Sequence, residues 1–259
     1  MQFMINFSVL GSGSSGNATI IQGSNGTILL DCGFSVLQIK KRLELLGKDI
    51  EEIDAVFITH EHTDHICGLK RFVNIYNVPI FMTQGTFAAI HGILDNTKNI
   101  ELFESGDSIR IGEFHVQSFA VTHDAQDPVN YVVSDSDKKI GFATDCGYPS
   151  KLLISRLRGC HGLILESNYC PQMLLQGPYP PQIKQRIQSK FGHLSNQQML
   201  ELLSRVMDET LRVLVLAHIS ENNNHHALVE QIAQEAIRGR NIQLWITHQT
   251  HPTPLIHLN

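Results

Sequence analysis

Apolar positions follow two different rhythms along this chain of 259 residues. Phe7–Leu10, Ala18–Gln22 and Thr27–Leu30 are short apolar runs set around the flexible turn Gly11-Ser12-Gly13-Ser14-Ser15-Gly16-Asn17, and they predict strands. Helical spacing follows: Val36, Ile39, Leu43 and Leu46 share one face, Ser35 can cap its start and Gly47 can end it. Asp54–Thr59 predicts a buried strand, His65–Tyr76 a helix, Pro79–Met82 a strand and Thr86–Leu94 a helix. Strand-like runs return at Ser108–Ile111, Phe114–Val121, Val129–Ser134 and Lys139–Ala143. A helix over 149–157 and a strand over 162–165 come next, followed by a loop punctuated by Pro171, Pro178, Pro180 and Pro181. Ser195 and Gln198 have the spacing of a capping box. It opens a helix with Met199, Leu202, Leu203 and Val206 on one face. Leu211–Ala217 predicts a buried strand, His226–Ile237 a helix and Ile242–Ile246 a last strand. β-rich and α-rich segments thus alternate twice, which predicts an α/β chain of two sheets between outer helices, in one domain spanning residues 1–259.

Composition narrows the class. Hydrophobic residues make up 42% of the chain and charged ones 17%, enough apolar surface for a large core and too little charge for long disorder. The net charge of −5 argues against a module that grips nucleic acid by charge alone. Five cysteines, an odd number with no CxxC spacing, exclude a disulfide framework or a cysteine zinc site. Met1–Leu10 lacks the charged start and long apolar core of a signal peptide, and no apolar run reaches membrane-spanning length. These features predict a reduced, cytoplasmic protein without a membrane partner.

The chemistry concentrates in Thr59-His60-Glu61-His62-Thr63-Asp64-His65, directly after a predicted buried strand. Imidazole nitrogen and carboxylate oxygen together suit zinc and other borderline metals. Glu61 and Thr63 are expected to point away from the metals. Three later places share one grammar, a polar residue ending an apolar run: His123 after Val121, Asp145 after Phe142-Ala143, and His218 after Val215-Leu216-Ala217. His193 lies just before the capped helix start at Ser195, where free N–H groups favour an anion. Ser12, Ser14 and Asn17 are candidates to line a cleft. Lys40, Lys41 and Arg42, and Lys184, Arg186 and Lys190, are two basic groups that could guide a strand or serve as solvated helix faces. His225, His226, His248, His251 and His257 read as solvated surface.

The pattern HxHxDH, then a distant His, an Asp and a His, with the early Leu30-Asp31-Cys32-Gly33, resembles the metallo-β-lactamase superfamily. The segments Ser8–Asn17, Gly192–Asn196 and Leu216–Asn223 are similar to its YycJ/WalJ-type exonuclease branch. The resemblance implies a four-layer αββα sandwich with two divalent ions, Zn2+ or Mn2+, at its open edge. By it, His60, His62 and His123 bind the first ion, Asp64, His65 and His218 the second, and Asp145 bridges them. Asp31 then holds the ligand loop from behind. His193 serves as a catalytic and substrate-binding residue, with Ser195, Ser12, Ser14 and Asn17 near the substrate, and Asp64 orients the nucleophile. The implied activity is a metal-dependent phosphodiesterase, a DNA rather than RNA exonuclease, that attacks with a hydroxide shared by the two ions. The alternative is a thioester or lactone hydrolase of the glyoxalase-II type.

Overall fold

A strand whose successive residues are all apolar needs cover on both faces. The computed structural model, which describes residues 5–94 and 99–258, meets that need with two seven-stranded sheets. In chain order, strands β1 (Ile5–Gly11), β2 (Ala18–Gln22), β3 (Thr27–Leu30), β4 (Ala55–Phe57), β5 (Ile80–Thr83) and β6 (Ile100–Phe103) belong to the first sheet. Strands β7 (Ser108–Ile111), β8 (Phe114–Ala120), β9 (Val129–Ser134), β10 (Lys139–Ala143), β11 (Gly162–Glu166), β12 (Val213–Ala217) and β13 (Gln243–Ile246) form the second. The last strand, β14 (Ile256–Leu258), returns to pair with β1. The spatial orders are β14-β1-β2-β3-β4-β5-β6 and β13-β12-β11-β10-β9-β8-β7.

The period of two along each strand sorts side chains into separate cores. Ile28 and Leu30 of β3, and Val213, Val215 and Ala217 of β12, face the space between the sheets. Leu214 and Leu216 of β12 face outward beneath helices α5 (Lys151–Leu157), α8 (Asn196–Val206) and α9 (His226–Ala236). On the first sheet Leu29 and Val56 pack under α1 (Val36–Leu45), α3 (Leu69–Ile75) and α4 (Gln84–Ile90). The layers are therefore helix, sheet, sheet, helix, as expected from the sequence.

Several expected elements need correction. The helix predicted over 65–76 is interrupted into α2 (Thr63–Ile66) and α3, because the Gly68 N–H donates to the Cys32 carbonyl while the Asp64 carbonyl accepts from the Asn17 N–H, which breaks the helical ladder. The proline-rich loop contains two helices, α6 (Pro171–Gln176) and α7 (Pro181–Gln188), each with proline in its first turn, where the missing N–H is no loss. Strands β6 and β14 did not show in the pattern. Residues 1–4 of the Met1–Leu10 stretch lie outside the described residues. Among the described residues no helix is long and apolar enough to cross a membrane.

Strand direction positions the site. β3 and β4 are parallel, as are β10, β11, β12 and β13, and β8 runs with β10 through antiparallel β9. The C-terminal ends of these strands, and of β1 in the same way, meet at one edge. Ligand-carrying residues follow strand ends there, as in other open α/β sheets.

Candidate metal centre

Among the described residues, the left-handed backbone region is occupied by three that are not glycine: Asp31 (φ 61°), Asp145 (φ 53°) and His218 (φ 55°). Each directly follows or nearly follows a strand end. Such a conformation costs about 1–3 kcal/mol and persists where the surroundings enforce it. Here it turns the side chain off the end of a strand towards a common centre.

Two donor triads meet at that centre. Nitrogens of His60, His62 and His123 lie within 4.8 Å of one another, as do donor atoms of Asp64, His65 and His218. In the first triad His60 Nε2 and His123 Nε2 are 3.0 and 3.3 Å from His62 Nδ1. In the second, Asp64 Oδ2 is 3.5 Å from His65 Nε2 and 3.6 Å from His218 Nε2. The Asp145 carboxylate lies between them: 3.2 Å from His65 Nε2, 3.6 Å from His218 Nε2 and 3.8 Å from His123 Nε2. Asp145 Oδ2 and His218 Nε2 are buried and make no hydrogen bond. Buried polar atoms without partners are rare in proteins, and a divalent ion would satisfy both.

The far nitrogens of His60, His65 and His123 are engaged, which orients the near ones. His65 Nδ1 contacts Asp31 Oδ2 at 2.8 Å, His60 Nδ1 contacts Thr59 Oγ1 at 3.0 Å and His123 Nδ1 contacts the Gly192 carbonyl at 3.1 Å. Asp31 also accepts from the Thr59 N–H and hydroxyl, so it braces the start of the histidine motif. Gly33 lets this brace close: a Cβ there would meet the Asp64 carbonyl at 1.7 Å.

Glu166, which the sequence reading passed over, is fully buried at the end of β11. Its Oε1 lies 2.9 Å from His218 Nδ1 and 2.7 Å from His193 Nδ1, and its Oε2 accepts from the N–H groups of Leu194 and Cys146. A polar residue ending the apolar run Leu163-Ile164-Leu165 was the available signal. Asn168 adds a hydrogen bond to the His218 carbonyl.

The electrostatics are those of an interleaved set of acids and imidazoles. Burial alone would raise the Asp145 carboxyl, but His218 and His65 outweigh it and hold it well below the ordinary carboxylate range. Asp64 is likewise held low against its burial, chiefly by His65. His65 and His218 are raised well above ordinary imidazoles: burial opposes this, but Asp31 and Asp145 act on the first and Asp145 on the second. His60 is pushed down by burial and by His65. His193 is raised, since Glu166 overcomes its burial.

His193 joins the cluster, its ring centroid 5.2 Å from that of His123 and 5.1 Å from that of His218. The other candidates are differently employed. The Ser12 hydroxyl donates to Asn17 and accepts from the His218 N–H, while Asn17 donates to Asp64 Oδ2. The Ser195 hydroxyl caps α8. These three are committed to holding the site together, whereas Ser14 is exposed at the loop tip. Glu61 accepts from the Gln126 N–H, outside both triads. Of the first basic group, Arg42 is buried against the Phe34 ring and donates to the Gln249 carbonyl, so it is a brace. Of the second, Arg186 is paired with Asp124 beside His123.

The beta-lactamase superfamily domain profile matches residues 26–219. Exodeoxyribonuclease WalJ of Streptococcus pneumoniae serotype 2 (strain D39 / NCTC 7466) is 32% identical over 263 residues, covering 97% of each chain. Exodeoxyribonuclease YycJ of Bacillus anthracis is 30% identical over 251 residues, covering 96% of this chain and 95% of its own. Two solved structures share the fold: the metallo-beta-lactamase fold protein YhfI of Bacillus subtilis, with TM-score 0.74 at 16% identity over 96% of this chain and 99% of that one, and Zn2+-bound PqqB of Methylobacterium extorquens, with TM-score 0.75 at 13% identity over the same shares. The chain belongs to the beta-lactamase superfamily, as a hydrolase built on its metallo-β-lactamase fold.

Proposed function

We propose that this chain is a dinuclear metal-dependent phosphodiesterase acting on nucleic acid, and more narrowly a DNA exonuclease. The observation that carries the reading is the paired donor set, two triads with the Asp145 carboxylate within 3.8 Å of a nitrogen from each. The exodeoxyribonuclease names of two relatives aligned along almost the whole chain support the substrate class. His60, His62 and His123 would hold one ion, Asp64, His65 and His218 the other, and Asp145 both. Divalent ions such as Zn2+ or Mn2+ supply Lewis acidity that ionises water near neutral pH and offsets phosphate charge, whatever the chain's net −5.

The chain's own residues do the rest. Asp31 and Glu166 accept from the far nitrogens of His65 and His218, so that each Nε2 presents a lone pair to the centre. Asp64 and Asp145 stay ionised at neutral pH. His193 keeps a proton because Glu166 sits against its Nδ1, which leaves Nε2 to hold a phosphate oxygen or to protonate the leaving oxygen. Ser14 is the remaining loop contact for substrate; Ser12, Asn17 and Ser195 act through the residues they hold.

The test is hydrolysis of end-labelled single- and double-stranded DNA and RNA after chelation and restoration of manganese or zinc. Wild type is run beside Asp145→Ala and His193→Ala. Cleavage that depends on metal and disappears in Asp145→Ala is the expected result. Fully metallated wild type that cleaves no strand would overturn the reading and favour a thioester or lactone substrate. Wild-type rates in His193→Ala would remove its assigned role.

A further inference from the structure

His226, His248 and His251, read from the sequence as solvated surface, form a column. The rings of His226 and His248 stack with centroids 4.5 Å apart and planes 7° apart, and those of His248 and His251 with values of 4.3 Å and 23°. His226 is anchored through Nε2 to the Thr247 carbonyl at 3.1 Å, and His251 at the other end is exposed. Burial, with His226 and His251 close by, lowers the His248 pKa and so disfavours charge on the central ring.

The column stands on the edge that carries the metal centre. β13 runs parallel to β12, so the loop after it opens beside His218. Ser12 joins the two: its hydroxyl accepts from the His218 N–H and its own N–H donates to the His248 carbonyl. Gln249 clasps the same glycine-serine loop, accepting from the Ser15 N–H and donating to the Gly16 carbonyl. Beside the column is a pocket of about 240 Å³ lined by Trp245, His248, His251, Pro252 and Pro254. The indole N–H of Trp245 is buried and has no acceptor.

We propose that this pocket and imidazole column are a subsite that stacks a base of a single-stranded nucleic acid whose phosphodiester lies at the metal centre. The proposal rests on the nuclease reading above and gives it a strand path. Flat rings and proline walls offer stacking surface to any base. Stacking needs no positive charge, which suits an acidic chain. A metal ion fits the column poorly, because parallel rings turn their faces to one another and do not converge lone pairs on one point.

Trp245 is the single tryptophan of the chain, so its emission reports on this pocket. Metal-loaded full-length protein is titrated with phosphorothioate-linked oligothymidylate, which resists cleavage. Wild type is expected to show a saturable change in Trp245 emission. In His251→Ala the apparent Kd should rise about ten-fold, the loss of part of one stacked base. His251→Phe, which keeps a flat ring, should restore tight binding. An equal Kd for wild type and His251→Ala, or a His251→Phe variant as weak as His251→Ala, would overturn the subsite and leave the column as a brace. Cleavage of a labelled strand by wild type is measured alongside. Cleavage without an emission change overturns the subsite alone; neither cleavage nor binding overturns the nuclease reading with it.

Discussion

Replacing Glu166 by glutamine changes one oxygen to an amide and should nevertheless disable the centre. The carboxylate accepts at both ends: Oε1 faces the Nδ1 atoms of His218 and His193, and Oε2 faces the N–H groups of Leu194 and Cys146. Glutamine has one acceptor end and one donor end. If its amide nitrogen takes the Oε2 place, it confronts two backbone donors, and each buried N–H left unpaired costs about 1–3 kcal/mol. If it takes the Oε1 place, the imidazoles must become acceptors at Nδ1. That moves the His218 proton to Nε2, the nitrogen aimed at the centre, where it blocks a metal. The less costly orientation prevails, so the loss is at least about 2 kcal/mol, equivalent to roughly 4–8 °C in Tm for a chain of this size, or about 10–100-fold in metal affinity. Zinc competition against a chromogenic chelator and thermal unfolding, with and without metal, separate the two. A Glu166→Gln variant with wild-type zinc affinity and wild-type Tm would refute the assignment of Glu166 as the residue that sets the His218 tautomer.

Further outcomes follow from the same geometry. Gly33→Ala places a Cβ 1.7 Å from the Asp64 carbonyl, so the Asp64–His65 segment must move; elemental analysis should find less tightly held metal per chain than in wild type. Leu214→Ala, in the outer core of the second sheet, should lower stability by about 2–5 kcal/mol with no change in metal affinity, checked by urea unfolding and the same chelator competition. In the metal-free protein, His65 and His218 have raised pKa values. Their contribution to stability is complete below the unfolded value of about 6.5 and fades as pH rises through the folded values. Asp64 and Asp145, held low, contribute above about 3.9 and lose that contribution as pH falls. Metal must displace the imidazole protons, so affinity should rise with pH, and the Tm difference between loaded and chelated protein should widen between about pH 6 and 8.5.

The chain's local pattern determined much of the architecture. Val213–Ala217 and 55–58 are apolar at every second position and in between, which is legible as strands covered on both faces, and Ser195 with Gln198 marks the start of α8 correctly. His60 to His65 declare their chemistry because three imidazoles and one carboxylate fall within six consecutive residues. Tertiary structure alone decided what those side chains meet. Glu166 looks like any acid at a strand end until parallel pairing of β10, β11 and β12 brings it against His193 and His218. Ser12 and Asn17 looked like cleft residues, yet the loop folds inward and spends their polar groups on His218 and Asp64. The histidines at 226, 248 and 251 carry no common motif and become a column only because α9 begins at the edge where the loop after β13 lies. The reason is physical: hydrogen-bond ladders and apolar periodicity are local properties of a segment, while convergence of side chains depends on sheet order, strand direction and register, which distant segments set together.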